Sequence, residues 1–406
     1  MKVYTARQAI LNRKENVVAY ELLYRGGPEN IFPQIDPHKA TSKLIMRTHF
    51  NQGLAIFTDG KPALINFSEE SILRGLPSIL PPRQVMIEIL ETVSPSDEVY
   101  QACKALYHQG YHLALDDFVY KPEWSRFFNL VKLVKFDIQT TALDEIIPLI
   151  KKLKGKKNLK ILAERVETKE EFLQAKKLGF HFFQGYYFCK PEMSENREIE
   201  ASQPILLSLM QQCLETPLSI NNLTGYFERD VSLSFKLFKF INSGVLPNTQ
   251  KITSIKNALI YLGEVQTQKL ILLLTTGVLA KNKPKELVRL AVIRAKFCEL
   301  MAAKAMPELA EAAFMVGLFS LLDAILDSPL EKILADLPLA PEVLSTLTCD
   351  SPSSLRYIFN AVSYYEQGSW YNTKRNAEMV QVNYDELTGF YQSALVWANK
   401  YDESQH

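Results

Sequence analysis

Acidic and amide residues recur at the ends of short apolar runs in the first half of this 406-residue chain. Glu21 follows Val-Val-Ala-Tyr, Asn66 closes Ala-Leu-Ile-Asn, Glu88 sits in Met-Ile-Glu-Ile, and Asp116-Asp117 ends His-Leu-Ala-Leu-Asp-Asp. Lys135 and Asp137 alternate in Val-Lys-Phe-Asp, Glu164 and Glu167 frame Glu-Arg-Val-Glu, and Gln184 follows Phe-Phe. A single carboxylate of this kind is most often a solvated loop residue, so recurrence carries the signal. Gathered together, the carboxylates would cost several kcal/mol per buried ion, or would take up protons, unless cations were present. Hard divalent ions remove that cost. An oxygen-rich set suits Mg²⁺ or Mn²⁺, and two such ions about 3.5–4 Å apart are the usual device for in-line attack on a phosphodiester. Lys135 would then offset charge on the attacking water or the phosphate, and Glu164 would take a proton.

The elements that must position these groups alternate in type. Strands are expected at Val3–Leu11, Val17–Tyr24, Ala63–Phe67, Val85–Leu90, His112–Phe118, Leu133–Ile138, Lys160–Val166 and Phe182–Phe188. Amphipathic helices are expected at Pro37–Gly53, Ser96–Gly110, Thr141–Lys154 and Thr168–Gly179. Eight strands in a largely parallel pattern, with no GxGxxG turn after any early strand, predict a closed α/β barrel of TIM-like (βα)₈ type. In such a barrel the C-terminal strand ends build the site. Residues 192–204 are polar and flanked by proline, which marks a linker after a domain spanning 1–191. From 205 to 406 the apolar residues keep helical spacing, including a stripe of Leu233, Leu237, Phe238 and Ile241, so an all-α domain is expected.

Composition narrows the function further. Lys plus Arg total 46 against 45 Asp plus Glu, so no overall charge recruits nucleic acid or an anionic membrane. The five scattered cysteines lack CxxC spacing, which excludes a zinc knuckle and a disulfide framework. The longest apolar run, Leu270 to Ala280, is too short to span a membrane, and a cytoplasmic protein is expected. Beyond His181 the one histidine is His406, so a histidine-ligated metal hydrolase cannot occupy the second half.

Taken in order, Gln8-Ala-Ile, Glu21-Leu-Leu-Tyr-Arg25, Asn66-Phe-Ser, Glu88-Ile-Leu-Glu91, Asp116-Asp-Phe, Lys135-Phe-Asp, Glu164-Arg-Val-Glu167 and Gln184-Gly-Tyr-Tyr-Phe resemble the EAL family signature across residues 1–191. The resemblance implies Mg²⁺- or Mn²⁺-dependent hydrolysis of cyclic di-GMP to linear pGpG. It also implies that Glu21, Asn66, Glu88 and Asp116 hold one metal, that Asp117 helps to hold the second, and that Glu167 supports the site. By the same resemblance, Lys135 and Glu164 position and activate the water, while Gln8, Arg25 and Gln184 lie beside the dinucleotide.

Three positions depart from the family pattern. Glu21 is followed by Leu-Leu instead of Ala-Leu, and Arg165 replaces a small glycine. The loop after the paired aspartates, Val119-Tyr-Lys-Pro-Glu-Trp-Ser-Arg126, has no glycine and gains a proline. Glycine permits backbone angles that valine and tyrosine resist. In the family this loop couples metal binding to dimerisation, and members with altered versions are often inactive; a homodimer stays open. Two readings stay open here: an active phosphodiesterase, or a degenerate barrel that senses cyclic di-GMP or acts as a protein scaffold.

The second half resembles the HDOD domain through Asp230-Val-Ser-Leu-Ser, Lys239-Phe-Ile-Asn242-Ser243 and the run from Ile252 to Gly263. Related hydrolases carry His-Asp in a Gly-Leu-Leu-His-Asp context, where this chain has Gly317-Leu-Phe-Ser320-Leu321. The resemblance therefore implies a regulatory module with a protein partner and no hydrolytic site of its own.

Overall fold

The computed structural model describes residues 5–24, 54–141, 143–153, 158–190, 203–215, 217–229, 254–281, 283–335, 337–349 and 351–405, with Ser234 and Leu237. The expected helix at Pro37–Gly53, the Leu233 stripe apart from Leu237, and most of the linker at 192–204 lie outside them. The chain divides into two compact units, Met1–Tyr187 with Tyr364–Trp370, and Phe188–Ser363 with Tyr371–His406.

In the first unit eight strands close into a barrel in chain order. They are β1 (Thr5–Asn12), β2 (Val17–Tyr24), β3 (Ala63–Phe67), β4 (Val85–Ile89), β5 (His112–Leu115), β6 (Val131–Asp137), β7 (Lys160–Glu164) and β8 (Phe182–Gln184). From β2 to β8 all neighbours are parallel. β1 runs antiparallel to both β2 and β8. The inversion follows from the short connection at residues 13–16, since a parallel crossover needs about a dozen residues or more. The Asn12 side chain accepts the Lys14 and Asn16 amides, and Glu15 takes a positive φ of 61° to turn the hairpin.

Strand alternation layers the barrel interior. Ile10, Ala19, Leu64, Ala114, Leu133 and Leu162 form an apolar cluster, with Met86 and Phe182 packed against it. Two residues further on, and therefore on the same face, come Glu21, Asn66, Glu88, Asp116, Lys135, Glu164 and Gln184. Because β1 is inverted, Gln8 precedes Ile10 and reaches the same layer, paired in register with Glu21. The polar layer thus rests on an apolar floor at the C-terminal mouth.

The helices of this unit include α1 (Glu69–Leu73), α2 (Asp97–His108), α3 (Leu143–Leu153) and α4 (Lys169–Leu178). α4 is fixed at both ends, by a capping box between Thr168 and Glu171 and by Gly179 at φ 104°. After β5 the glycine-free loop is built in an unexpected way. Pro122–Asn129 form a 3₁₀ helix that buries Trp124, Phe127 and Phe128. Phe118 meets Trp124 and Phe128 edge to face. Arg126 pairs with Asp97 and donates to the Pro95 carbonyl at 2.9 Å. Aromatic packing replaces the conformational freedom of glycine.

The second unit is helical. It includes α5 (Gln203–Leu214), α6 (Ile220–Arg229), α7 (Ile255–Leu279), α8 (Lys285–Ala305), α9 (Ala310–Phe319) and the C-terminal α10 (Leu387–Gln405). α7 breaks at Gly263, with φ 71° and ψ 176°, and buries the apolar run Leu270–Leu274. α8 and α9 approach so closely that a Cβ on Gly317 would lie 2.6 Å from the Ala295 Cα. Ser320 accepts from Arg294 at 2.9 Å and donates to the Gly317 carbonyl. Among the described residues no helix is long and apolar enough to cross a membrane.

Candidate active site

Lys135 stands at the centre of the polar layer. Its Nζ lies 2.7 Å from Glu88 Oε1, 2.7 Å from Asp116 Oδ1, 2.8 Å from Glu164 Oε1 and 3.2 Å from Glu21 Oε2. Lys135 is 1% exposed and Glu88 is not exposed at all, so these charges interact with little screening. Burial alone would lower the Lys135 pKa, but the four carboxylates hold it well above the ordinary lysine range.

The carboxylates separate by environment. Burial works to raise the Glu21 pKa, yet the Lys135 charge and hydrogen bonds from Gln184 and Asn66 bring it below its usual value. Gln184 Nε2 donates to Glu21 at 2.6 Å and to Gln8 Oε1 at 2.9 Å, and Asn66 Nδ2 donates to Glu21 at 2.9 Å. Glu88 and Glu164 go the other way. Burial, reinforced by neighbouring carboxylates, pushes both well above the usual range despite Lys135. Asp117 is also raised, first by burial and then by Asp116 and Asp137.

The donor set fits divalent cations. Glu88 Oε2, Glu164 Oε2, Asn66 Oδ1 and Gln184 Oε1 are buried without a hydrogen bond. Oxygens of this kind need a partner, and carboxylate and amide oxygens in this number suit Mg²⁺ or Mn²⁺. Asp116, Asp117 and Glu164 bring ligand atoms within 4.8 Å of one another, enough to share an ion.

The structure gathers Gln8, Glu21, Asn66, Glu88, Asp116, Asp117, Lys135, Glu164 and Gln184 at the mouth. Glu167 lines the same cleft from an exposed position, outside that ligand cluster, and its backbone amide donates to Glu171 at 2.7 Å. Arg25 lies outside the described residues. Two residues named in the sequence without a role of their own also contribute. Asp137 ends β6 in register with Glu164, is 4% exposed, and faces Arg165 at 3.1 Å. Its alternation with Lys135 was visible in Val-Lys-Phe-Asp, but nothing local shows that a strand-end aspartate is buried. Arg165, 62% exposed, has φ 54°, a left-handed conformation that costs a non-glycine residue about 1–2 kcal/mol.

A carboxylate-ringed barrel mouth in one unit and a helical second unit are the two parts of an EAL–HDOD protein, and the chain belongs to that family. Residues 63–191 match the EAL domain and residues 201–326 match the HDOD domain. The chain is 37% identical over 376 residues to the cyclic di-GMP phosphodiesterase CdgJ of Vibrio cholerae, covering 92% of this chain and 87% of that protein. It is 33% identical over 408 residues to YuxH of Bacillus subtilis, covering 98% of each. Among solved structures, the EAL domain of Mycobacterium smegmatis DcpA is similar at 21% identity, over 45% of this chain and 90% of that one, with a TM-score of 0.35.

Proposed function

We propose that this chain is a phosphodiesterase that hydrolyses cyclic di-GMP to linear pGpG in bacterial signalling, with the helical half as a regulatory output module. The observation that carries this is the convergence of Glu21, Glu88, Asp116 and Glu164 within 3.2 Å of Lys135 at the barrel mouth. Relatedness to CdgJ over most of the chain supports it.

Glu21, Asn66, Glu88 and Asp116 would hold one Mg²⁺ or Mn²⁺. Asp116, Asp117 and Glu164 would face a second, supported by Glu167. Bound there, the ions supply Lewis acidity and neutralise phosphate charge. Glu164 accepts a proton from water as the water oxygen bonds to phosphorus. The bond from phosphorus to the 3′ oxygen breaks, and that oxygen leaves as a hydroxyl after taking up a proton from solvent. Lys135 orients the water and offsets the charge gathered on the phosphate. Gln8, Arg25 and Gln184 position the dinucleotide. In the HDOD half, Ser320 in place of the hydrolase histidine fits a module that docks a protein partner. A homodimer through the barrel and a cytoplasmic location belong to the same reading.

The loop at Val119–Arg126 favours a second reading, a nucleotide sensor without turnover, because its 3₁₀ helix is locked by Trp124 and Phe127. Incubating purified protein with cyclic di-GMP and Mn²⁺ and separating the products by chromatography decides between them. The enzyme produces pGpG, and Glu21→Ala abolishes it while leaving the fold intact. Nucleotide binding without pGpG would establish the sensor. Equal turnover by Glu21→Ala would overturn the site assignment.

A further inference from the structure

We infer that Arg165 is a substrate-specificity residue that binds a phosphate of the dianionic dinucleotide from the β6–β7 side of the cleft. This rests on the phosphodiesterase reading above but concerns a residue with no assigned role.

Three observations meet at this position. First, the cleft at the barrel mouth is lined by Glu21, Glu91, Asp116, Asp117, Glu164 and Glu167, and among the described lining residues Arg165 is the one cation. Lys135 lies beneath the carboxylates and is 1% exposed. A substrate carrying two phosphates meets an acidic rim, so an exposed guanidinium at that rim changes attraction directly.

Second, the backbone presents the side chain outward. Glu164 faces the mouth and Val166 is fully buried against β8, where its amide donates to the Gln184 carbonyl at 3.0 Å. Between them Arg165 takes a left-handed turn, lines the cleft, and has a side chain 62% exposed. Gln139 Nε2 donates to the Arg165 carbonyl at 3.1 Å and to Glu171 at 3.0 Å, which holds the turn in place.

Third, Arg165 is tethered through one nitrogen: its Nη1 pairs with Asp137 Oδ2 at 3.1 Å. Asp137 spends its other oxygen on the Gln139 and Thr140 amides at 2.8 and 3.2 Å. Asp137 therefore restrains the arginine by charge while leaving its planar fork able to take two phosphate oxygens, the geometry in which arginine binds most selectively. Preorganisation by Asp137 reduces the rotamer freedom lost on binding.

The decisive variant is Arg165→Gly, because glycine suits φ 54° and removes the charge without forcing the turn to move. Cyclic di-GMP affinity is measured by calorimetry with Mg²⁺ on the full chain in a Glu164→Gln background, which prevents turnover, with and without the Arg165→Gly substitution. Steady-state kinetics are measured with Glu164 intact. The expected result is affinity weakened roughly tenfold or more and KM raised in parallel. kcat should stay within about threefold, because the contact exists equally before and during reaction. Affinity should become less sensitive to salt, thermal stability should be kept, and Arg165→Lys should recover part of the affinity.

Unchanged affinity in Arg165→Gly, with an active parent, would overturn this inference alone. A fall in kcat at constant KM would overturn it too, by showing that Arg165 acts through Asp137 on the carboxylate cluster. A parent that neither binds nor cuts cyclic di-GMP would overturn both this inference and the phosphodiesterase reading.

Discussion

Lys135 Nζ lies 2.7 Å from Glu88 Oε1, and the pair is sealed inside the barrel. The ammonium neutralises part of a charge cluster that would otherwise oppose folding. Lys135→Met keeps most of the side-chain volume and removes the cation. In metal-free buffer it should lose about 3–5 kcal/mol of stability, the usual cost of breaking a buried pair from one side. Mn²⁺ should recover much of that loss while turnover stays abolished. Thermal melts with chelator and with Mn²⁺ check this, and equal melting of parent and variant in chelator would count against it.

Glu164 combines a raised proton affinity with a place beside Asp116 and Lys135. Glu164→Gln keeps its size and removes the base, so kcat should fall by roughly 10²–10⁴-fold with nucleotide affinity nearly unchanged. Calorimetry showing a parallel loss of affinity would instead mean that Glu164 acts mainly through the metal it faces and not as the base.

Proton release should accompany metal binding. Glu88 and Glu164 retain protons above the ordinary carboxylate range in the metal-free protein, and a protonated carboxyl is a poor ligand. Raising the pH removes those protons, so divalent-ion affinity should increase with pH. Titrations in buffers of different ionisation enthalpy measure the protons released, and a pH-independent affinity with none released would refute the coupling.

Gly185 lets β8 touch the loop that carries Glu164 and Glu167. A Cβ there would lie 2.1 Å from the Val166 carbonyl oxygen, and φ is +146°. Gly185→Ala should cost roughly 2–4 kcal/mol from overpacking and backbone strain and should lower turnover by displacing that loop. Denaturant unfolding and kinetics together provide the check, and a parent-like variant would mean that the contact yields freely.

Burial pushes the Cys103 and Cys213 thiols up to about 12 from an ordinary value of 9.0. Between those values the unfolded chain loses these protons while the folded chain keeps them. Stability is therefore complete below about pH 9 and declines as pH rises toward 12. Denaturation midpoints from about pH 8 to about pH 10.5 should show the decline, and it should flatten in Cys103→Ala. An identical slope in that variant would assign the alkaline loss to other groups.

All eight strands were legible from the chain, because short β-branched or aromatic runs alternate with longer segments of helical period, a pattern that is local in sequence. The alternation of side chains along each strand already placed Glu21, Asn66, Glu88, Asp116, Lys135, Glu164 and Gln184 two residues beyond apolar positions, and thus on one face of the sheet. The inverted β1 was legible too, in the short gap at residues 13–16, although the largely parallel pattern overshadowed it. Tertiary structure decided the rest. The four carboxylates around Lys135 come from β2, β4, β7 and the end of β5, and only closure of the barrel sets their separations. Burial of Asp137 and the position of Arg165 depend on where β6 and β7 end against each other. The absence of glycine after Asp117 was visible in the chain, but the compensating packing of Trp124 and Phe127 was not. Spacing determines which side chains share a face; how far apart they stand, and what screens their charges, depends on contacts between residues remote in sequence.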